Sequence, residues 1–124
     1  MANPNIVNVT SIYGNTTYLI PTGTSATTWT ALTPATGTVN KLDSIIASNV
    51  TGSAAAITVS INSATGGGGT AYRITYQTNI PANSTLIVLD KSASMYVGEN
   101  QSIVATSNTS NAIELTATYE AITS

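Results

Sequence analysis

The chain has 124 residues, no cysteine and no histidine, and only 6% of it is charged: three cations (Lys41, Arg73, Lys91) against five anions (Asp43, Asp90, Glu99, Glu114, Glu120). That length predicts one domain with a core large enough to need no covalent staple. The missing residue types exclude disulfides, Cys–His and Ser–His–Asp nucleophiles and Cys-type zinc sites, and so few scattered cations exclude a surface that tracks nucleic-acid phosphates.

Residues 5–10 (NIVNVT) read as a first strand, with Pro4 at its start and Val7 and Val9 on one face. Residues 13–16 (YGNT) read as a turn, 17–20 as a short strand, and 21–23 (PTG) as its end. Residues 26–32 are threonine-rich, carry the only tryptophan, Trp29, and suit a pleated surface. Residues 34–37 (PATG) turn the chain into its most apolar stretch, 41–61. There Ile45 and Ile46 load one run, and Ile57, Val59 and Ile61 recur at period two in the next. With turn chemistry at 50–53 (VTGS), this pattern predicts a central β-hairpin. The adjacent Ile45 and Ile46 imply either cover on both faces or a bulge.

Four glycines at 66–69 precede an alternating segment in which Tyr72, Ile74 and Tyr76 share a face. Strands follow at 85–90, 95–97 and 102–106, separated by turns at 81–84, 91–93 and 98–100. After a polar loop at 107–111, Ile113, Leu115, Ala117 and Tyr119 face one way, and Glu114, Thr116, Thr118 and Glu120 the other. That pattern marks an antiparallel strand wet on one side. No segment has helical periodicity, and no apolar run approaches a membrane span of roughly 20 residues. The opening MANPNIVNVT has no basic start and no apolar stretch, so we expect synthesis in a cytoplasm without standard export.

Candidate sites are few. The glycines at 66–69 lack the Gly-Lys-Ser/Thr and following helix of a phosphate loop, and read more simply as a flexible hairpin tip. The five carboxylates fit no calcium loop. Six Asn-X-Ser/Thr matches (Asn8, Asn15, Asn49, Asn83, Asn100, Asn108) are what chance gives in a chain so rich in these residues. Tyr13, Tyr18, Trp29, Tyr72, Tyr76, Tyr96 and Tyr119 could form a glycan platform. Packing explains them better, because Tyr72, Tyr76 and Tyr119 fall on inward registers.

Low charge has its own meaning. Globular proteins are about 25% charged, and sheet proteins guard their edges with lysine. This chain does neither, which points to life inside an assembly.

In order along the chain, NIVNVTSIYGNT, SIIASNVTGSAAAITVSI, IPANSTLIVLDKSASMYVGENQSIVATS and ELTATYEAI resemble small virion structural proteins of marine and cyanobacterial tailed phages. The likeness covers nearly the whole chain, and the glycine run at 66–69 departs from the family's shorter loop. It implies a compact β-sandwich without enzymatic role, either a capsid decoration (cement) protein or a neck, tail or fibre component. It implies no catalytic residue and no cofactor.

The expectations are therefore a single antiparallel β-sandwich of about eight strands over residues 1–124, Ig-like or jelly-roll in connection. Its core should hold Ile57, Val59, Ile61, Ile74, Leu86, Val88, Ile113 and Leu115. The expected role is non-enzymatic, in a virion, with the major capsid protein or other virion proteins as partners. No catalytic, cofactor or metal residue is expected, and neither nucleic acid nor membrane as partner. A homo-oligomer, with three copies as the leading number, would use residues 1–32 as an arm that pairs with a neighbour. A glycan-binding module is the reading from another class.

Overall fold

The computed structural model describes residues 9–123, so the strand expected at 5–10 lies almost wholly outside the described residues. Nine strands run β1 (Ser11–Leu19), β2 (Thr27–Thr28), β3 (Thr38–Asn49), β4 (Ala55–Asn62), β5 (Ala71–Ile80), β6 (Thr85–Leu89), β7 (Met95–Val97), β8 (Ser102–Ser107) and β9 (Ile113–Thr123). Three single 3-10 turns interrupt them, and no α-helix occurs among the described residues.

Two antiparallel sheets face each other. The first has the order β1-β9-β3-β6, with β7 also on β3; the second has the order β2-β8-β4-β5. β7 covers Asn40 to Leu42 and β6 covers Ile45 to Ser48 of the same β3 edge. Counted as one interrupted strand, β6 and β7 leave eight. The pairs are then first with last (β1·β9), second with seventh (β2·β8), third with sixth (β3·β6/β7) and fourth with fifth (β4·β5). This is one long hairpin rolled over itself, the jelly roll. Of the two expected connections it selects that one.

Four expectations change. β3 and β4 do not form a hairpin; they lie in different sheets. The corner at 50–53 is an arch between layers, held by Asn49, which is buried. Its amide donates to Ser53 O (2.8 Å) and Ile80 O (3.0 Å), and its Oδ1 accepts from Thr51 N (3.0 Å) and Thr51 Oγ1 (2.7 Å). The expected turn at 13–16 is the middle of β1, where Gly14 and Asn15 sit opposite Glu120 and Tyr119 in unbroken register. An edge strand tolerates such residues. At 26–32 only Thr27 and Thr28 pair. Trp29 N then donates to Ile103 O (2.7 Å) and the chain curls at Thr30–Leu32, which buries Trp29 (1% exposed) and Leu32 (0%). Tyr72 (62% exposed) and Tyr76 (58%) do not face inward.

The core otherwise follows the pattern. Ile57, Val59, Ile113 and Leu115 are buried, and Ile61, Ile74, Leu86 and Val88 pack partly against the cluster. Leu42, Ile45, Ile80, Val97 and Ile103 complete it. The register between β3 and β6 shifts at Ile45–Ile46, but the extra residue is Val88 on β6; β3 itself alternates regularly there, with Ile45 buried and Ile46 exposed. The proposed arm is in large part the protein's own structure, since β1 lies along β9 and Trp29 fills the core. Deleting residues 1–32 would therefore open the sandwich rather than free it.

Asn49→Ala leaves buried backbone groups without partners and should cost roughly 2–4 kcal/mol. Val50→Ala, on the exposed side of the same corner, should stay within about 0.5 kcal/mol. Urea denaturation of the two variants checks this. Equal midpoints would mean that the arch is not held by Asn49.

Candidate functional site

Three exposed regions carry the chemistry this surface has. The first is the outer face and free edge of the β1-β9-β3-β6 sheet. Directly opposed residues share a face. Tyr18 stands opposite Thr116, Thr116 opposite Ile46, and Ile46 opposite Ile87, so one row crosses all four strands. Tyr18 is 73% exposed and Ile87 63%, with Ile46 also open to solvent. β1 ends the sheet with nine residues, SIYGNTTYL, without charge or proline. Its outer backbone groups have no strand beyond them among the described residues.

The second region lies in the same face at a bulge in β3. Register shifts between Leu42 and Ser44, leaving Asp43 as the extra residue beside Glu120 on β9. A side-chain hydrogen bond with Asp43, then burial, then the Asp43 charge hold Glu120 protonated to higher pH than a free glutamate; Lys41 and Lys91 oppose this. Lys41 sits opposite Glu120 in the ladder. On the η turn at Lys91–Ala93 the opposite holds: Asp90 is lowered, chiefly by the Ser92 hydroxyl, which donates to it at 2.5 Å.

The third region is the outer face of the β2-β8-β4-β5 sheet. At one end the glycines at 66–69 fold back over it instead of waving free. Gly67 N donates to Ser102 Oγ (3.0 Å), and Asn62 receives Gly69 N (2.8 Å) and donates to Gly67 O (3.3 Å). A Cβ on Gly67 would stand 3.0 Å from Thr28 Oγ1 and 3.1 Å from Val104 Cγ2, so at φ +76° only glycine fits. Beyond this cover the face sinks into a groove of about 580 Å³, lined by Thr24, Ala56, Thr58, Gln77, Asn79, Thr106, Ser107 and Asn108. One wall is made by a bulge in β5. Ile57 pairs with Thr78 and Val59 with Thr75, so Tyr76 and Gln77 together oppose Thr58. Gln77 adopts φ +46° and its N–H donates to Thr58 Oγ1 (2.8 Å). A left-handed non-glycine residue costs about 1–2 kcal/mol, and such strain gathers at functional sites.

The aromatic residues do not converge. Tyr18 and Tyr96 belong to the first sheet, Tyr72 and Tyr76 to the edge of the second, and Trp29 to the core. The Arg73 guanidinium lies 5.1 Å from the Tyr76 ring centroid. Among the described residues no three acidic, histidine or cysteine side chains gather as metal ligands, and no helix is long and apolar enough to cross a membrane. The sequence singled out none of Thr24, Gln77 or Asn79. The segment from Tyr72 to Gln77 reads as a regular alternating strand, so the bulge at Tyr76–Gln77 was not expected.

No protein-family model and no curated protein matches the chain. Among solved structures it is similar to a chain from the disulfide-linked pili of Bacillus endospore appendages, at TM-score 0.52 and 11% identity over 91% of this chain and 88% of that one. It is less similar to the Drosophila NLP core (TM-score 0.44, 11% identity, 88% and 96% covered). The Macrobrachium rosenbergii extra small virus particle follows (0.40, 16%, 98% and 86%). These likenesses speak to the fold alone, and the last two are too low to weigh.

Because the folded chain binds the Glu120 proton more tightly than the unfolded chain, this pair's contribution is full at acid pH. It is lost as pH rises from the unfolded glutamate value through the raised folded one. Glu120→Gln keeps a partner for Asp43 and removes the second charge. It should melt higher than the parent at pH 7 and at the same temperature near pH 3. Melting curves across that range check it; a constant difference would show that the carboxyls are not coupled.

Proposed function

We propose that this chain is a non-enzymatic structural subunit of a virus particle, a capsid decoration protein that cements the major capsid protein and acts as a homo-oligomer, most simply a trimer. The observation that carries this reading is the β1 edge with its uncharged, partly apolar outer row. A lone soluble sheet protein places lysine, proline or a covering loop at such an edge. Among the described residues nothing lies beyond this edge, which leaves its backbone groups and Tyr18 open to a neighbour. The jelly roll supports the reading, since it is a fold that shells and lectins reuse, although fold by itself assigns no role. A closed ring or cluster satisfies each copy's edge without leaving an open chain, and three copies fit the three-fold positions of an icosahedral shell.

The arm reading narrows accordingly. What pairs with a neighbour is the outer edge of β1, while its inner edge stays on β9. A neck, tail or fibre position is the second reading. β1 and β5 are different edges of different sheets, so a head-to-tail contact between unlike surfaces is also open, and that geometry builds rods. The similar pilus chain belongs to disulfide-linked pili. These 124 residues hold no cysteine, so a contact between copies of them is not a disulfide.

Thr16→Lys with Tyr18→Lys puts two charges on the outer row of β1, both at exposed positions. The parent should sediment as an oligomer at high concentration, and the double variant as a monomer with its urea midpoint unchanged within about 0.5 kcal/mol. A parent that stays monomeric overturns the edge contact. Quantitative mass spectrometry of particles then divides the two readings: copy numbers on the order of hundreds fit the shell, and roughly a dozen fit a neck or tail ring.

A further inference from the structure

We propose that the groove on the outer face of the β2-β8-β4-β5 sheet is a binding site for an uncharged saccharide. The argument begins with what the lining lacks. Its residues are Thr24, Ala56, Thr58, Gln77, Asn79, Thr106, Ser107 and Asn108, with no charge among them. Nothing there balances a phosphate or carboxylate, and no carboxylate is present to hold a cation. Apolar ligands need a continuous apolar wall; here Ala56 is the sole wholly apolar side chain, and the threonine methyls and amide methylenes around it alternate with hydroxyl and amide groups. A peptide on a sheet needs either a free strand edge or pockets for its side chains. The floor strand β4 has both edges taken, by β8 and by β5, so a peptide could add a strand only outside the groove, along the far side of β5.

What the lining supplies is hydroxyl and amide groups at the density a polyol requires. A side-chain amide gives one acceptor and two donors, and a threonine hydroxyl gives both kinds. Adjacent sugar hydroxyls each donate and accept, so they match this set without formal charge on either side. The volume of about 580 Å³ falls in the range of small-ligand clefts and holds two or three sugar rings. The amides of Gln77 and Asn79 form one wall and have no hydrogen-bond partner among the described residues. Asn108, by contrast, is fixed: its Oδ1 accepts from Ala56 N (2.9 Å) and from Thr109 Oγ1 (3.1 Å).

The bulge makes the site more than a hollow. An undistorted strand would place Tyr76 and Gln77 on opposite faces. The extra residue sets both against Thr58, and Gln77 reaches the groove only through a left-handed backbone that its side chain disfavours. Local rules broken without a packing gain are expected at functional positions. Tyr76 does not line the groove, so recognition rests on the amides and hydroxyls rather than on the aromatic platform that the tyrosine content suggested.

The test uses the full chain labelled with ¹⁵N. It is titrated separately with maltohexaose, cellohexaose, mannohexaose and N-acetylchitohexaose, all neutral, up to about 10 mM, the weak end of measurable affinity. At least one should give saturable shifts confined to the amides of Thr24, Thr58, Gln77, Asn79 and Thr106 to Asn108. Gln77→Gly removes the side chain at a position whose backbone glycine accepts, so folding is preserved. It should weaken binding by about tenfold or more. Asn79→Ala should do the same. No saturable shift with any of the four overturns the proposal. So does a response centred on Tyr13, Tyr18 or Tyr96, or binding that Gln77→Gly and Asn79→Ala leave unchanged.

Discussion

The pairing of β3 with β9 holds the molecule together. Eleven positions are registered between them, from Thr38 opposite Thr123 to Asn49 opposite Ile113. β1 attaches only to the far side of β9, and β6 and β7 only to the far side of β3. The first sheet therefore does not exist until residues some seventy apart have met. Such pairing carries a high loop-closure cost and folds slowly. Asn49, at the end of this ladder, then turns the chain into the second sheet, so one strand sets both the register of one layer and the position of the other.

The consequence for the surface is an unusual division of labour. Buried asparagines, not ion pairs, tie the loops. Asn40 holds Leu32 O (2.9 Å), Asn49 holds the arch, and Asn62 holds the glycine cover. Surface ion pairs contribute little to stability in any case, so this protein loses little by leaving them out. What it gives up is the repulsion that keeps edges and flat faces apart. The row Tyr18–Thr116–Ile46–Ile87 and the groove beside Gln77 both take their character from that absence. One is a face a protein can lie on; the other is a hollow whose lining carries no charge and, Ala56 apart, only neutral hydrogen-bonding side chains.

Much of this fold was legible in the chain. β9 reads correctly because one face is packed and one wet, so Ile113, Leu115 and Ala117 announce it. β6 and β8 were equally clear, and a bulge does lie at Ile45–Ile46, though its extra residue, Val88, is on the facing strand β6. The errors have physical causes. Period-two patterning cannot tell two strands that pair from two that pack face to face, and the β3–β4 arch was read as a hairpin for that reason. Tyr72 and Tyr76 were assigned inward because bulges shift the phase of β5 against β4 by one residue at a time. Gly14 and Asn15 looked like a turn, yet a ladder with Glu120 and Tyr119 outweighs their local preference. The groove left almost no trace. Its residues are mostly ordinary surface Thr, Asn and Gln, and only the fold brings Thr24, ahead of β2, to the same groove as Asn79 on β5.

Ser11 stands opposite Thr123, and Thr10 N donates to Thr123 O at 2.6 Å. The first and last described residues thus leave the sandwich side by side. They do so at the end where Glu99 gathers three loops, its Oε1 receiving Gly37 N and its backbone oxygen receiving Thr65 Oγ1 (3.1 Å). Chains with neighbouring ends tolerate relocation of those ends. A short bridge across them, with new termini opened at an exposed position such as Asn83 in the 81–84 turn, would keep every strand partner. The topology is in that sense closer to a ring than to a line.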